Sequence, residues 1–589
     1  MISRLYRRFG VLSLLLPAGL LLGPLYLYPL VQIVLRSFGS NPLSLNHYVE
    51  LFSEPFLLHV FLQTLKMSAI ISALCVLLGF PVAYAMRVVT EKTQRTMALM
   101  IMLPLWTSVL VRSFAWIVFL GRNGLVNEAL QGIGLIDHPL NLVYNSTGVY
   151  IGMLHVMLPF MVLPLYNNLR RIDMRLMSAA ESLGSSPVSA FFWVILPLSM
   201  PGVLSGALLV FMGSVGMFVL PAILGGLSDT TYVMVIEKQV NELNNWELAS
   251  AMSVLMLVVT GLLTLLYERA LSLDAPSGFF GRLMRRIFQQ GPIALLIWRQ
   301  RLIARWFPAR RLSSHQRVGR PGSRHGFTKV ISWIVILALA VPLLVIFPLA
   351  FSGDAFMMFP PRSLSLRWFE TFFSRDDWVT PMVTSFKVGV LATIAAVLVG
   401  VPAAYAVVRG NFPGKGFLTA LLISPMIVPV LILAISLYAM FASLNMIGSV
   451  IGLALAHAVI GLPYVVVTVS AALRSTDVSL EAAALTMGAG RIRAFWKVTL
   501  PVLKPAIMSA TFLAFVASFD DVVLALFLAG TNAKTLPLRM WEGIRFEIEP
   551  TIAAVSVLLI CLTVGLKFVG EWSRKRSEKT GAIGAVARI

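Results

Sequence analysis

Cysteine is nearly absent from this chain, with two in 589 residues. Cys75 and Cys561 lie in opposite halves, so neither a disulfide framework nor a cysteine metal site can be assembled from them. Charge is scarce as well, at 12% of residues, where a soluble domain carries about a quarter; a large water-soluble core is excluded. No constellation of acids, histidines or nucleophiles at catalytic spacing is found, and the chain is read as a non-enzyme binding no metal or cofactor. The stretch Gly410-Asn411-Phe412-Pro413-Gly414-Lys415-Gly416 has a passing likeness to a phosphate loop. It has one residue too few between its glycines and no Ser or Thr after Lys415, so it cannot cradle nucleotide in the usual way.

What fills the chain instead is apolar sequence, 58% of residues with a mean hydropathy of +0.85. A membrane-crossing helix needs about 20 such residues. Scanning on that basis predicts an all-α polytopic membrane protein of about twelve spans, six in each half. The windows are 11–36, 61–87, 97–120, 147–168, 202–225 and 248–267, then 328–351, 382–408, 417–442, 449–470, 504–530 and 550–570. The corresponding units are 1–267, a linker at 268–327, 328–571, and a tail at 572–589.

The net charge of +21 is distributed by side rather than gathered into a nucleic-acid surface. Arg4, Arg7 and Arg8 precede the first window, Arg87, Lys92 and Arg95 follow the second, and Arg170, Arg171 and Arg175 follow the fourth. The intervening loops carry Glu50, Glu54, Glu128, Asp137, Asp229 and Glu242. Positive residues favour the cytoplasmic side, which places both termini there. The basic start and apolar run at 11–35 are too long for a signal peptide and lead into further spans, so a retained first helix is expected. Within 268–327, arginines alternate with aromatic and aliphatic residues, a pattern suited to an amphipathic segment on anionic lipid.

The chain is also duplicated. Ser178-Ala179-Ala180-Glu181-Ser182-Leu183-Gly184 runs on to Leu196-Pro197, and Ala482-Ala483-Ala484-Leu485-Thr486-Met487-Gly488, preceded by Glu481, runs on to Leu500-Pro501. The two stretches are 304 positions apart (184 to 488), as are Pro159 and Pro463, Arg170 and Arg474, and Asp173 and Asp477. Earlier in each half the shift is 321, relating Pro81 to Pro402 and Pro104 to Pro425. The first half therefore carries 17 extra residues, which fall in Gly121–Gly148. Each duplicated stretch reads as a short Ala-rich helix, a Gly turn, and a second helix with a Pro-bounded exit. Small residues let a foreign backbone approach, so the pair suits docking into a partner.

Both stretches resemble the E-A-A-x-x-x-G loop of ABC-importer permeases, at Ala179, Ala180, Gly184, Leu196 and Pro197, and at Ala483, Ala484, Gly488, Leu500 and Pro501. They depart from it at the leading Glu, replaced by Ser178 and Ala482, with Glu481 one residue early. The resemblance implies a type I importer-like permease fold with two permease subunits fused in one chain, in a bacterial inner membrane. It implies two cytoplasmic ABC ATPase subunits, which bind ATP and Mg and engage these loops (170–200 and 474–504), and an extracytoplasmic solute-binding protein. Gly216 to Gly226, and Ser518-Phe519-Asp520-Asp521-Val522-Val523 with Leu536-Pro537-Leu538, look like the two permeases of spermidine/putrescine importers. Importers of ferric iron, phosphonate, thiamine or opines share these patterns.

Asp520 and Asp521 stand near the middle of an apolar run, where a carboxylate costs at least about 2.5 kcal/mol. They are read equally as pathway-lining groups for a cationic solute or as helix caps at a break. Their repeat positions are Gly216 and Met217, so an acidic site would be one-sided. His155 and His457 are read as satisfied core histidines ahead of proton relays. The matching Pro81 and Pro402 are open between a packing kink and a hinge. Gly202 and Gly206, and Gly448 and Gly452, have the spacing of close helix crossings. The rival is a proton-coupled secondary transporter, which requires a cationic mate for Asp520 or Asp521 that the sequence does not reveal. A passive channel would need an unbroken polar stripe, and none is evident.

Overall fold

The computed structural model describes residues 13–39, 44–271, 326–355, 359–547 and 549–565. All but the edges of the expected linker, and the whole of the expected tail, lie outside these residues. Among the described residues ten helices are long and apolar enough to cross a membrane, and the helices Lys415–Met426 and Val430–Ser443, bent by 93°, meet the same measure only when taken together. Thr551–Gly565, a shorter apolar helix, occupies the last position. We label the spans α1 (Ser13–Arg36), α2 (Pro55–Val88), α3 (Val109–Leu120), α4 (Ser146–Arg171), α5 (Leu196–Val215) and α6 (Trp246–Leu271) in the first repeat. The second holds α7 (Gly326–Ala350), α8 (Asp376–Arg409), α9 (Val430–Ser443), α10 (Val450–Ser475), α11 (Leu500–Phe519) and α12 (Thr551–Gly565).

The duplication is exact to the residue in several elements. α4 and α10 begin and end 304 residues apart, as do α5 and α11, while α2 and α8 are shifted by 321 at both ends. In each repeat three helices form the core: α2, α4 and α5, and their counterparts α8, α10 and α11. The outer helices are exchanged. α1 lies against α8 and α9 of the other repeat, and α7 lies against α2 and α3. Two hydrogen bonds pin α7 in place: His155 Nε2 donates to the Leu339 carbonyl at 2.9 Å, and the Ser332 hydroxyl donates to the Pro81 carbonyl at 3.0 Å. Pro81 and Pro402 both sit inside continuous helices.

Two pairs of expected spans are not straight. The windows 97–120 and 417–442 each break at Pro104 and Pro425, where a 3₁₀ turn intervenes and the helix restarts at Val109 and Val430. Proline has no N–H to give and its ring crowds the preceding turn. The windows 202–225 and 504–530 each end early, at Val215 and Phe519, and after three residues resume as short helices Val219–Leu224 and Val523–Leu528. Hydropathy counts apolar residues and is blind to such changes of direction. The 17 extra residues fold around the helix Leu125–Gly132, held by Asn127, which hydrogen-bonds the carbonyls of Gly121 and Leu140 at 3.0 Å each.

Of the two glycine pairs, one lies at a helix crossing. A Cβ on Gly206 would stand 2.6 Å from the Met161 Sδ and 3.0 Å from the Met161 carbonyl oxygen, and one on Gly202 would meet Asn168. The other pair does not. Gly448 has φ +75° in the turn before α10, donating its N–H to the Leu528 carbonyl, and Gly452 sits in the first turn of α10. Gly206→Val is expected to cost about 1–3 kcal/mol by overpacking the α4–α5 crossing, seen as a lower thermal unfolding midpoint in nanodiscs. Gly261→Val, whose Cβ would meet nothing within 4 Å, should leave that midpoint unchanged.

Candidate functional site

Each repeat sends one helical hairpin out from between its fourth and fifth spans. An aspartate stands at or just before the start of the helices Arg175–Ser182 and Val478–Thr486, with Asp173 Oδ1 accepting from the Arg175 N–H and Asp477 Oδ1 from the Ser479 N–H, both at 2.9 Å. The Ser479 N–H and hydroxyl hold the Asp477 carboxyl below its ordinary pKa. Both helices end on a left-handed glycine, Gly184 at φ +93° and Gly488 at φ +85°. Ser185 N–H reaches the Ala180 carbonyl and Gly184 N–H that of Glu181; Ala489 reaches Ala484 and Gly488 reaches Leu485 in the same way. This pair of bonds is the Schellman closure, which turns the chain sharply and satisfies the last carbonyls. Each hairpin then passes through a four-residue helix and a π-helical turn, Phe191–Ile195 or Phe495–Thr499, into α5 or α11.

Ser178, Ala179 and Ala180, and Ala482, Ala483 and Ala484, lie on helices that bury no residue in this chain. Leu183 and Met487, at the turns, are 89% and 87% exposed. Leu196-Pro197 and Leu500-Pro501 open α5 and α11. Glu481 differs from its neighbours. Its carboxylate accepts from the Tyr405 and Thr499 hydroxyls at 3.0 Å each and lies 3.5 Å from the Arg409 Nε. It ties the hairpin to the end of α8 rather than facing outward. In the first repeat Tyr84 and Met177 hold the corresponding positions, 3.6 Å apart from hydroxyl to sulfur.

Asp520 and Asp521 lie in the break between α11 and the helix Val523–Leu528. Asp521 Oδ2 accepts from the Leu524 N–H at 2.7 Å and lies 3.8 Å from the His457 Nε2. The other ring nitrogen of His457 meets the Ser518 hydroxyl at 2.9 Å. Asp520 turns the other way, across the boundary between repeats, and accepts from the Val109 N–H at the start of α3 at 3.4 Å. The Ser108 side chain and the Arg112 charge also act on it. Arg112, 5% exposed, donates from Nε to the Ser108 carbonyl at 3.4 Å. The sequence did not reveal this cation because it sits in the opposite repeat. Phe218, in the α5 break, stacks on Trp541 at 5.5 Å between ring centroids.

Comparison with known proteins gives a consistent set. The family described as "Binding-protein-dependent transport system inner membrane component" matches residues 15–273 and 396–580. The spermidine/putrescine transport system permease protein PotB of Salmonella typhimurium is 34% identical over 234 residues, covering 40% of this chain and 81% of that protein. PotC of Haemophilus influenzae, with the same description, is 29% identical over 256 residues, 44% of this chain and 99% of its own. The putrescine transport system permease protein PotI of Escherichia coli is 32% identical over 222 residues, 36% of this chain and 79% of its own. A solved bacterial alginate ABC transporter, in complex with an alginate pentasaccharide-bound periplasmic protein, overlaps 45% of this chain and 94% of its own at 17% identity and a TM-score of 0.38.

The hairpin turns offer a direct check. Gly488→Ala is expected to destabilise the second turn by about 1 kcal/mol, because an L side chain resists the left-handed region. Amide hydrogen exchange in 478–489 should rise several-fold, while Gly490→Ala, with open space around its Cβ and no positive φ, should leave it unchanged.

Proposed function

The chain belongs to the family of binding-protein-dependent transport system inner membrane components, and from that premise we propose that its two repeats enclose the translocation pathway of an ATP-driven importer. In this reading the hairpins at 178–197 and 482–501 are sockets for two separate ATPase subunits, which bind the ATP and Mg. The observation that carries it is the pair of helices with no buried residue, each held in shape by a Schellman turn capped with an exposed apolar side chain. A helix of eight or nine residues has little stability of its own. Apart from Met177 and Glu481, which meet Tyr84 and Tyr405, these helices bury little in their own chain and leave the rest of their surface for a partner.

The excess of basic residues in the adjoining loops supports a cytoplasmic side for these hairpins. A binding protein then delivers solute to the opposite face. Closure of the ATPases brings the hairpins together and switches the bundle between two states as interlocked rigid bodies. Spermidine and putrescine are the solutes named for the relatives, and a small polyamine is the solute proposed here, with Asp520 beside its route. The chain itself performs no covalent chemistry.

Replacing both Ala180 and Ala484 with Arg is expected to abolish co-purification of the ATPase subunits and ATP-dependent spermidine uptake. Ser at both positions should preserve each. An ATPase that still co-purifies with the double-Arg protein would remove the docking assignment. Accumulation of solute by the chain alone in sealed vesicles, on a proton gradient without nucleotide, would favour the secondary-transporter reading instead.

A further inference from the structure

We propose that Glu481 is a positioning residue which, with Arg409, Tyr405 and Thr499, clamps the second hairpin to the end of α8, so that hairpin and span move as one body. The proposal rests on reading the hairpins as sockets for the ATPases, and it concerns how a push on a socket reaches the bundle. Glu481 stands in the first turn of the helix Val478–Thr486, where the helix dipole favours a carboxylate. Its Oε2 accepts from the Tyr405 hydroxyl and its Oε1 from the Thr499 hydroxyl, at 3.0 Å each. Arg409 Nε forms an ion pair with Oε1 at 3.5 Å, the two side chains being only 13% and 14% exposed. Arg409 Nη2 donates to the Thr476 carbonyl at 3.1 Å. Arg409 is the last residue of α8, Thr476 caps the end of α10, and Thr499 directly precedes α11. The pair therefore gathers the ends of three core spans and the hairpin at one point.

The first repeat builds the same joint with apolar residues at those positions. The shift of 321 relates Tyr405 to Tyr84 and Arg409 to Val88, and the shift of 304 relates Glu481 to Met177, Thr499 to Ile195 and Thr476 to Ile172. Of the five, the tyrosine alone is kept. It packs on the matching ring in each repeat, Phe191 or Phe495, at 5.5 and 5.3 Å between centroids. Val88, Ile172 and Met177 pack against the apolar core that includes Tyr84 and Ile195. The carboxylate of the first hairpin, Glu181, aligns with Leu485 rather than Glu481 and acts on Tyr84 from there. The polar residues of the second joint thus differ from the first as a set, and neither charge would be matched without the other. Apolar contact is non-directional, whereas hydrogen bonds to an ionised group hold a distance and an angle. The second joint fixes how its hairpin sits on α8, and Glu481 is the residue through which it does so.

The test replaces the second joint by the first and reads both the joint and the coupling. Glu481→Met alone should raise amide hydrogen exchange in 478–489 about tenfold, because it strands Arg409 and removes an acceptor from two hydroxyls. Glu481→Met with Arg409→Val and Thr499→Ile, the residues of the first repeat, should bring exchange back toward that of the unsubstituted chain. If the triple variant does not fold, Glu481→Gln, Arg409→Met and their double provide the same cycle, the double being less perturbed than the sum of the singles. Unchanged exchange in Glu481→Met, or losses that simply add, overturn the clamp, whether or not the protein transports spermidine. ATPase subunits should still co-purify with Glu481→Met, since Glu481 faces α8, and their loss would overturn the positioning role by placing Glu481 in the docking face. In the assembled complex, spermidine taken up per ATP hydrolysed should fall several-fold in Glu481→Met and recover in the triple variant. A merely structural lesion would lower the amount of complex and leave that ratio alone, so an unchanged ratio overturns the transmission through Glu481. Absence of ATP-dependent uptake in the unsubstituted complex would instead count against the importer reading, leaving the exchange cycle to decide the clamp.

Discussion

Inside hydrocarbon every backbone N–H and C=O must find its partner within the protein. A continuous helix meets that demand alone, so each interruption of a span has to be sealed by something nearby. The α11 break and the start of α3 are sealed by the side chains that looked most out of place. Asp521 takes the Leu524 N–H at 2.7 Å, and Asp520 takes the Val109 N–H of the other repeat at 3.4 Å. A carboxylate in mid-membrane is costly, at least about 2.5 kcal/mol, and a bare helix N-terminus is costly there too. Placed together, each offsets the other. At the α11 break the acids and the interruption are one feature seen from two directions.

The same demand explains how the repeats hold each other. α1 and α7 lie against the opposite repeat, and the His155 and Ser332 hydrogen bonds cross that boundary. Neither repeat covers its own core. In lipid, where apolar association gains little from water exclusion, such contacts draw on close packing and a few polar bonds. Interlocked wedges of this kind rotate against one another more readily than they separate, which suits a two-state switch.

Register was legible from the residues, because identical spacings over 304 positions survive in Pro, Gly, Arg and Asp, and the helices reproduce them at both ends. Direction was not. Pro104 and Pro425 were visible, but a window of apolar residues reads the same whether the chain runs straight or bends by 93°. The buried cation on the helix that Asp520 meets was hidden for a different reason. Arg112 belongs to the first repeat and follows the 321 shift, so aligning Asp520 by the 304 shift leads only to Gly216 and Met217. A comparison of both shifts together would have shown Arg112 against Leu433 as the matching one-sided charge. Glu481 was legible as part of the hairpin, but its tie to Tyr405 depends on how α8 ends and could not be read from spacing.

The two repeats thus share a backbone and differ in side chains, and the differences fall where shape is not at stake. Both hairpins close through the same two hydrogen bonds on a left-handed glycine, while Tyr84 meets a thioether and Tyr405 a carboxylate. Both breaks sit at the same positions, while one is met by the Val109 N–H on the Asp520 carboxylate and the other by apolar contact between Gly216 and Pro429. In the importer reading proposed above, a pair of like motors needs two sockets of equal geometry, and any substitution that altered a turn would be felt by both. A solute crossing near the axis meets the two faces at once and is itself under no obligation to be symmetric. Duplication supplied the geometry for both tasks, and divergence was then free to act on the pathway, where unlike faces can discriminate and identical ones cannot.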